Sequence, residues 1–447
     1  MFEVPEWAAN KVVYQIFPSR FAATEPVDKE LWYKAPITPM DDLHGNLRGI
    51  IEHMDDIQNL GIDVLYMTPI FQSNSCHKYD TTDYYQIDPS FGTTEDLKEL
   101  VQKAHERGMK VVLDAVYNHT GREFFAFADI LENGEKSKYR DWYFIDGFPL
   151  KSEWGEIPNF KCFGYYGGMP KLNLKNPEVE KYITDVACYW IKECDIDGWR
   201  LDVGDEISHF FWKNFRKAVK AVKKDMLIIG EIWHYAGDFL EGDEWDTVMN
   251  YPFYLNLIDL LADEKITVSQ FVQNLGYLKG RLHKNCYPLM WNLIDSHDTA
   301  RFLHLCNDNK KKQHLAAAFQ LLLPGMPMIY YGDEYAMPGA NDPDCRRGMY
   351  WDEEYQDKEM YEWYKRLIQV RKSHACIVEG ELAGIVTEDE EGTIVLIRKN
   401  GEETIAMIFN CSSSAKKFNE YTQKYNLLTE NTFDGNVEGF DAAVIVL

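Results

Sequence analysis

The chain has 447 residues, 45% hydrophobic and 14% aromatic, with 12 Trp, 27 Tyr and 24 Phe. That is enough apolar material for a large core and for flat platforms that suit sugar rings. A net charge of −25 at pH 7 argues against nucleic acid and anionic membrane surfaces as partners.

No stretch of about 18 apolar residues is present to span a membrane, and no basic segment followed by an apolar run opens the chain as a secretory signal would. The nine cysteines are scattered, with no CxxC pair. They read as reduced thiols of a cytoplasmic protein rather than a disulfide frame or a zinc site.

Short β-branched runs alternate with longer amphipathic stretches, the pattern of successive strand–helix units. Residues 11–17 (KVVYQIF) predict a first strand. Residues 47–60 predict a helix with Ile50, Ile51, Met54, Ile57 and Leu60 near helical spacing. A second strand at 63–67 is followed by a helix at 93–107, opened by the cap-like Thr93-Thr94-Glu95-Asp96, and by a third strand at 110–117. The alternation then stops over 120–171, rich in aromatics and glycine, which reads as an inserted lobe. It resumes with a helix at 177–193, a fourth strand ending GWRLD at 198–202, and a helix from about Glu206 to Val222. Strands at 226–229, 247–250, 289–294 and 327–331 complete the set, with helices at 266–282, 312–323 and 359–371. Eight units in order with one inserted lobe favour an α/β fold, a (β/α)8 TIM barrel, over a doubly wound sheet. Beyond about Ala375, short strands at 384–387, 393–398, 404–409 and 442–447 predict a small antiparallel β domain. The expected division is a barrel at 1–119 and 173–375, a lobe at 120–172 and a C-terminal domain at 376–447.

Barrel enzymes carry their catalytic groups at the C-terminal ends of the strands. Strand three ends DAVYNH (114–119). Strand four ends in Arg200 and Asp202, spaced i, i+2 and so on one face of a strand. A cation there depresses the carboxylate's pKa and keeps it ionised as a nucleophile, although such a pair by itself is equally a surface ion pair. Strand five ends IIGEIWH with Glu231, and strand seven NLIDSHD with His297 and Asp298. Asp202, Glu231 and Asp298 therefore converge on one rim. Two of them supply what glycoside hydrolysis requires, a nucleophile and a general acid.

The motifs DAVYNH, GWRLD, GEIWH (230–234) and SHD (296–298), with GIDVLYMTPI (61–70) and GMPMIYYGDE (325–334), resemble in order those of the alpha-amylase superfamily of glycoside hydrolases. The resemblance spans nearly the whole chain, leaving only the last ~70 residues weakly matched. It implies that Asp202 is the nucleophile, Glu231 the acid/base, and Asp298 a ligand of the sugar hydroxyls that favours ring distortion. It further implies that Arg200 holds Asp202 ionised, that His119 and His297 hydrogen-bond the same sugar, and that Tyr79 in HKYDTTDYY stacks beneath it. MPKLN (169–173) and NDPDCRRGMYWDE (341–353) are similar to the neopullulanase, cyclomaltodextrinase and maltogenic amylase group. In that group Asp342 and Arg346 would bind the glucan on the non-reducing side, while Trp233 and Glu206 would lie on the acceptor side.

Two departures stand out. That group usually carries an N-terminal β domain that dimerises; here strand one is expected within the first dozen residues, so that dimer is not expected and the oligomer is left open. Calcium amylases place Lys-His where this chain has Asp205-Glu206, and Asn118 alone does not make a calcium site. No cofactor is required, no metal ligand is assigned, and a structural calcium is left open without support. The expected function is retaining hydrolysis of α-1,4-glucosidic bonds in malto-oligosaccharides and starch-like glucans, with pullulan or cyclodextrins as further candidates. An α-glucan transglycosylase and a non-catalytic glucan-binding protein are the alternatives.

Overall fold

The computed structural model describes residues 4–151 and 157–447. Eight parallel strands follow one another around a barrel: β1 Val13–Ile16, β2 Val64–Met67, β3 Lys110–Ala115, β4 Gly198–Leu201, β5 Leu227–Gly230, β6 Thr247–Val248, β7 Trp291–Asn292 and β8 Met326–Tyr330. Each pairs with the next from β1 to β6, β7 pairs with β8, and β8 returns to β1. The seam between β6 and β7 is closed by a single parallel bridge, Met249 to Trp291. The two-residue side-chain period sorts the strands into two cores. Val13, Val64, Tyr66, Val112, Ile229, Trp291 and Met328 fill the barrel interior. Their neighbours Tyr14, Leu65, Val111, Trp199 and Ile228 face the surrounding helices.

Several helices begin where their side chains cap them. Thr93 and Asp96 form a capping box ahead of Thr94–Glu106, and Asn176 caps Pro177–Cys194. The helix expected from Glu206 starts later, at His209, because Ser208 accepts from the Phe211 N–H, while Gly204–Glu206 form a separate 3-10 turn. The helix expected over 47–60 is two, Leu47–Glu52 and Met54–Leu60, parted at His53, whose backbone leaves helical geometry (φ −99°, ψ 12°) and whose ring stacks on Trp351. Strands six and seven are shorter than expected, because the chain turns at once into the helix Tyr251–Leu257 and into the loop bearing His297. The inserted region is not free of regular structure. It holds the helix Phe125–Asn133, which buries Ala126, Phe127 and Ile130.

After the last barrel helix, Lys358–Ser373, come the long antiparallel strands β9 Glu381–Glu388, β10 Thr393–Asn400, β11 Glu403–Asn410 and β12 Asp441–Val446. They join in one sheet that packs on the helix Lys310–Leu322, with Phe319 stacked on Phe409 at 4.3 Å. None of the nine cysteines is disulfide-bonded. Among the described residues no helix is long and apolar enough to cross a membrane.

Candidate active site

The inward rows of β3, β4 and β5 end together on the barrel rim. Arg200 is fully buried there. Its Nη1 donates to both oxygens of Asp114 (2.9 and 3.0 Å) and to Asp202 Oδ1 (3.0 Å), and its Nη2 lies 2.9 Å from Glu231 Oε2. The Tyr66 and Tyr79 hydroxyls also donate to Asp114, at 2.7 and 2.9 Å. One cation thus serves three carboxylates.

That ratio changes the electrostatics expected from the Arg–Asp pair. Burial pushes the Asp202 carboxyl well above its ordinary value; Arg200 opposes this, while Glu231, Asp114 and Asp298 add to it. Burial also raises Asp114, again against Arg200. Arg200 pulls the Asp202 carboxyl down as expected, but against larger opposing effects. The pair forms, but its cation is divided among three carboxylates, so burial prevails and the net push on Asp202 is upward.

Glu231 follows β5. Its Oε2 accepts from the Val203 N–H (2.9 Å) and its Oε1 from the Trp233 indole N–H (3.1 Å). Val203 makes this contact from a left-handed conformation (φ 46°, ψ 44°) that β-branched residues avoid. The preceding Gly230 leaves room for an indole: a Cβ on it would stand 2.2 Å from the Trp245 ring. Trp233 itself stacks on Tyr251 at 4.0 Å and 13°.

Across the rim, Asp298 Oδ1 accepts from Arg346 Nη2 (3.2 Å), and Arg346 also pairs with Asp342 (2.7 Å). Asp298 Oδ2 is 3.2 Å from His297 Nε2. Gln15 Nε2 donates to His297 Nδ1 (2.7 Å), which assigns the ring proton to Nε2, facing the Tyr79 hydroxyl at 2.6 Å. Burial, reinforced by Arg346 and Arg200, keeps His297 far below its ordinary pKa. Burial takes His119 down to about 4, against the Tyr79 carbonyl that its Nε2 contacts at 3.1 Å. Both imidazoles are therefore neutral near pH 7.

These groups surround a cavity of about 430 Å³, a size suited to a small ligand. Its wall includes Tyr79, His119, Asp202, Glu231, Trp233, Asp298, Asp342 and Arg346, with His77, Phe163, Met169 and Val203.

Residues 15–380 match the family described as alpha amylase, catalytic domain. The chain belongs to the alpha-amylase family. It is 46% identical over 419 residues to a cyclomaltodextrinase from Geobacillus thermopakistaniensis (strain MAS1), covering 93% of this chain and 71% of that protein. It is 43% identical to Neopullulanase 2 of Thermoactinomyces vulgaris, covering 92% and 71%. Among solved structures, the ligand-free cyclic alpha-maltosyl-(1→6)-maltose hydrolase from Arthrobacter globiformis superposes with a TM-score of 0.90 at 35% identity, with full coverage of both chains. The chain is a glycoside hydrolase of this family.

Of the alpha-amylase site residues expected from sequence, Arg200 and His297 are fully buried behind the cavity wall, where they hold wall residues in place. Glu206 does not line the cavity. Its Oε2 accepts from Lys171 Nζ (2.7 Å) and from Asn118 Nδ2 (3.1 Å). The same Lys171 ammonium donates to Asn118 Oδ1 (2.6 Å) and to the Glu206 carbonyl (3.1 Å). The oxygens that a calcium ion would need beside Asn118 are thus taken by a fixed cation, and the residues present do not fit calcium there. Among the described residues, no three His, Cys, Asp or Glu side chains gather to hold a metal. The sequence reading missed the parts played by Asp114, Val203, Lys171 and Phe163. Asp114 was legible as an inward position two residues after Val112; the other three carry no local signal.

Proposed function

We propose that this chain hydrolyses α-1,4-glucosidic bonds in malto-oligosaccharides and starch-like glucans, with retention through a double displacement. The observation that carries the reading is the state of Asp202. One of its oxygens is clamped by Arg200, while the other, Oδ2, is buried and has no hydrogen-bond partner among the described residues. A carboxylate fixed at one oxygen and unengaged at the other is prepared to attack.

Asp202 Oδ2 forms a bond to the anomeric carbon as the glycosidic bond breaks, and the leaving oxygen takes a proton from Glu231. Glu231 then accepts a proton from water, whose oxygen displaces Asp202 from the anomeric carbon. Each step inverts the configuration, so the product keeps it. Asp202 and Glu231 clasp neighbouring nitrogens of one guanidinium. That favours the closer carboxylate spacing, of nucleophile and acid, over the wider one that admits a water between them. Asp298, Asp342 and Arg346 present charged hydrogen-bonding groups to the sugar hydroxyls, and Tyr79 its ring. The likeness to a cyclomaltodextrinase and to a cyclic alpha-maltosyl-(1→6)-maltose hydrolase supports cyclic α-glucans as substrates.

A second reading, transfer of the glycosyl group to a sugar acceptor, is favoured by Trp233, which is 42% exposed beside Glu231. Both readings are tested by rates and products on maltotriose, starch, pullulan and cyclodextrin. Panose from pullulan and linear maltose units from cyclodextrin are the expected products. Products longer than the substrate in high glucose mark transfer. No turnover on any of the four rejects the hydrolase reading.

A further inference from the structure

The inserted lobe sends one hairpin, 161–171, to the edge of the cavity. Its base is fixed: Cys162 bridges to Pro170, Lys171 bridges to His119, and the Thr120 N–H donates to the Pro170 carbonyl at 3.1 Å. The turn is closed by its own backbone, from the Phe163 N–H to the Met169 carbonyl and from the Tyr166 N–H to the Phe163 carbonyl (3.0 and 2.9 Å). Phe163 and Met169, its two ends, line the cavity, and Phe163 stacks on His119 at 5.2 Å and 19°. The Tyr166 ring lies over Gly168, where a Cβ would stand 2.4 Å from it.

Tyr165 differs from these neighbours. It is 91% exposed, and its backbone is left-handed (φ 60°) beside Gly164 (φ 56°). A non-glycine residue in that region costs stability, and a ring so exposed returns almost none by burial. Glycine stands at 164, 167 and 168, so the residue type that adopts this conformation without strain already surrounds a position that keeps a tyrosine. Strain held at a site-bordering residue points to a contact made outside the protein.

We propose that the Tyr165 ring is a further sugar platform, stacking on a glucose unit of the glucan outside the cavity; the proposal rests on the α-glucan reading above. A phenol offers a flat apolar face with a polar edge, the match for a pyranose with its own apolar face and rim of hydroxyls. Two residues from Phe163 span at most about 7 Å between Cα atoms, so the platform serves a sugar near those held in the cavity. It discriminates by chain length: short substrates end before reaching it.

The test compares kcat/KM on maltotriose and maltohexaose for the full-length wild type, Tyr165→Asn, which keeps a residue tolerant of the left-handed backbone, and Tyr165→Phe, which keeps the ring. Tyr165→Asn is expected to lower kcat/KM on maltohexaose by roughly three- to tenfold. It should leave maltotriose within about twofold and the melting temperature no lower than that of the wild type, while Tyr165→Phe behaves as wild type. Equal losses on both sugars, no loss on either, or a Tyr165→Phe as impaired as Tyr165→Asn overturns the platform. The same pair of sugars is titrated calorimetrically into Asp202→Asn with and without Tyr165→Asn, where only maltohexaose should bind more weakly. If the wild type cleaves neither sugar, the hydrolase reading fails, while the binding arm still decides Tyr165.

Discussion

Two buried aspartates bracket one strand of the barrel and do opposite things. Asp197, just before β4, meets His105 (2.7 Å), Lys110 (2.9 Å), Lys223 (3.0 Å) and the Val111 N–H (3.0 Å). Burial pushes its carboxyl up, but His105, Lys223, Val111 and Lys110 together hold it far below the usual carboxylate range. Asp202, just after the same strand, shares its one cation with two other carboxylates and is pushed the other way. Burial alone does not decide whether a carboxylate is inert or reactive. The local balance of cations and carboxylates does, and in this barrel it reverses from the bottom face to the top, as stability and chemistry do.

The largest expected effect lies at the top. Asp202→Asn and Glu231→Gln should each lower kcat on maltotriose by about 10³-fold or more. Neither should lower the melting temperature appreciably, because each relieves carboxylate crowding. Near-wild-type turnover in either variant would break the contrast. At the bottom the effects should trade places. Asp197→Asn strips a carboxylate from two lysine ammonium groups and the His105 ring and should cost about 3 kcal/mol of stability in urea, with kcat per folded molecule unchanged. If it instead slows catalysis at undiminished stability, the division between the faces fails.

Lys171 joins the two behaviours, since it is a structural cation at the top. Lys171→Met leaves the Asn118 and Glu206 oxygens without their donor and should cost about 1–3 kcal/mol, raising KM before it lowers kcat. Melting of the wild type should be indifferent to EDTA; a chelator-induced drop would mean that calcium is held after all.

The smallest effect is a slope rather than a loss. His119, neutral in the fold down to about 4, contributes stability that is complete above the ordinary histidine value. That stability is lost as pH falls from there toward 4, because the unfolded chain takes the proton first. Glu334, raised by burial to about 7 against the Tyr14 hydroxyl (2.6 Å), works in the opposite sense. Its stability is present below the ordinary glutamate value and lost as pH rises toward 7. The two windows overlap with opposite sign, so urea midpoints should fall more steeply as pH rises toward 7 in His119→Asn and rise more steeply over the same span in Glu334→Gln.

Much of this was legible where it is written locally. The strand–helix alternation stands in β-branched runs and in caps such as Thr93 and Asn176, and the rim carboxylates follow from reading strand ends. What escaped depends on partners distant in sequence. The lobe helix Phe125–Asn133 has no capping side chain to announce it. The helix Tyr251–Leu257 does have one, Asn250, with a proline in its first turn, but Asn250 also closes the strand expected at 247–250. The break at His53 sits against Trp351, the left-handed Val203 is read only from its bond to Glu231, and the upward push on Asp202 requires knowing that Asp114 and Glu231 claim the same guanidinium.

The central claim is that the crowded carboxylate after β4, not the well-paired one before it, forms the bond to sugar. Incubation with a fluorine-substituted α-maltosyl fluoride, followed by peptide mass spectrometry, tests it directly. The account predicts a glycosyl adduct on the peptide carrying Asp202, at that residue, and α-configured product once the adduct turns over. An adduct on Glu231, or β-configured product with no adduct at all, would contradict it.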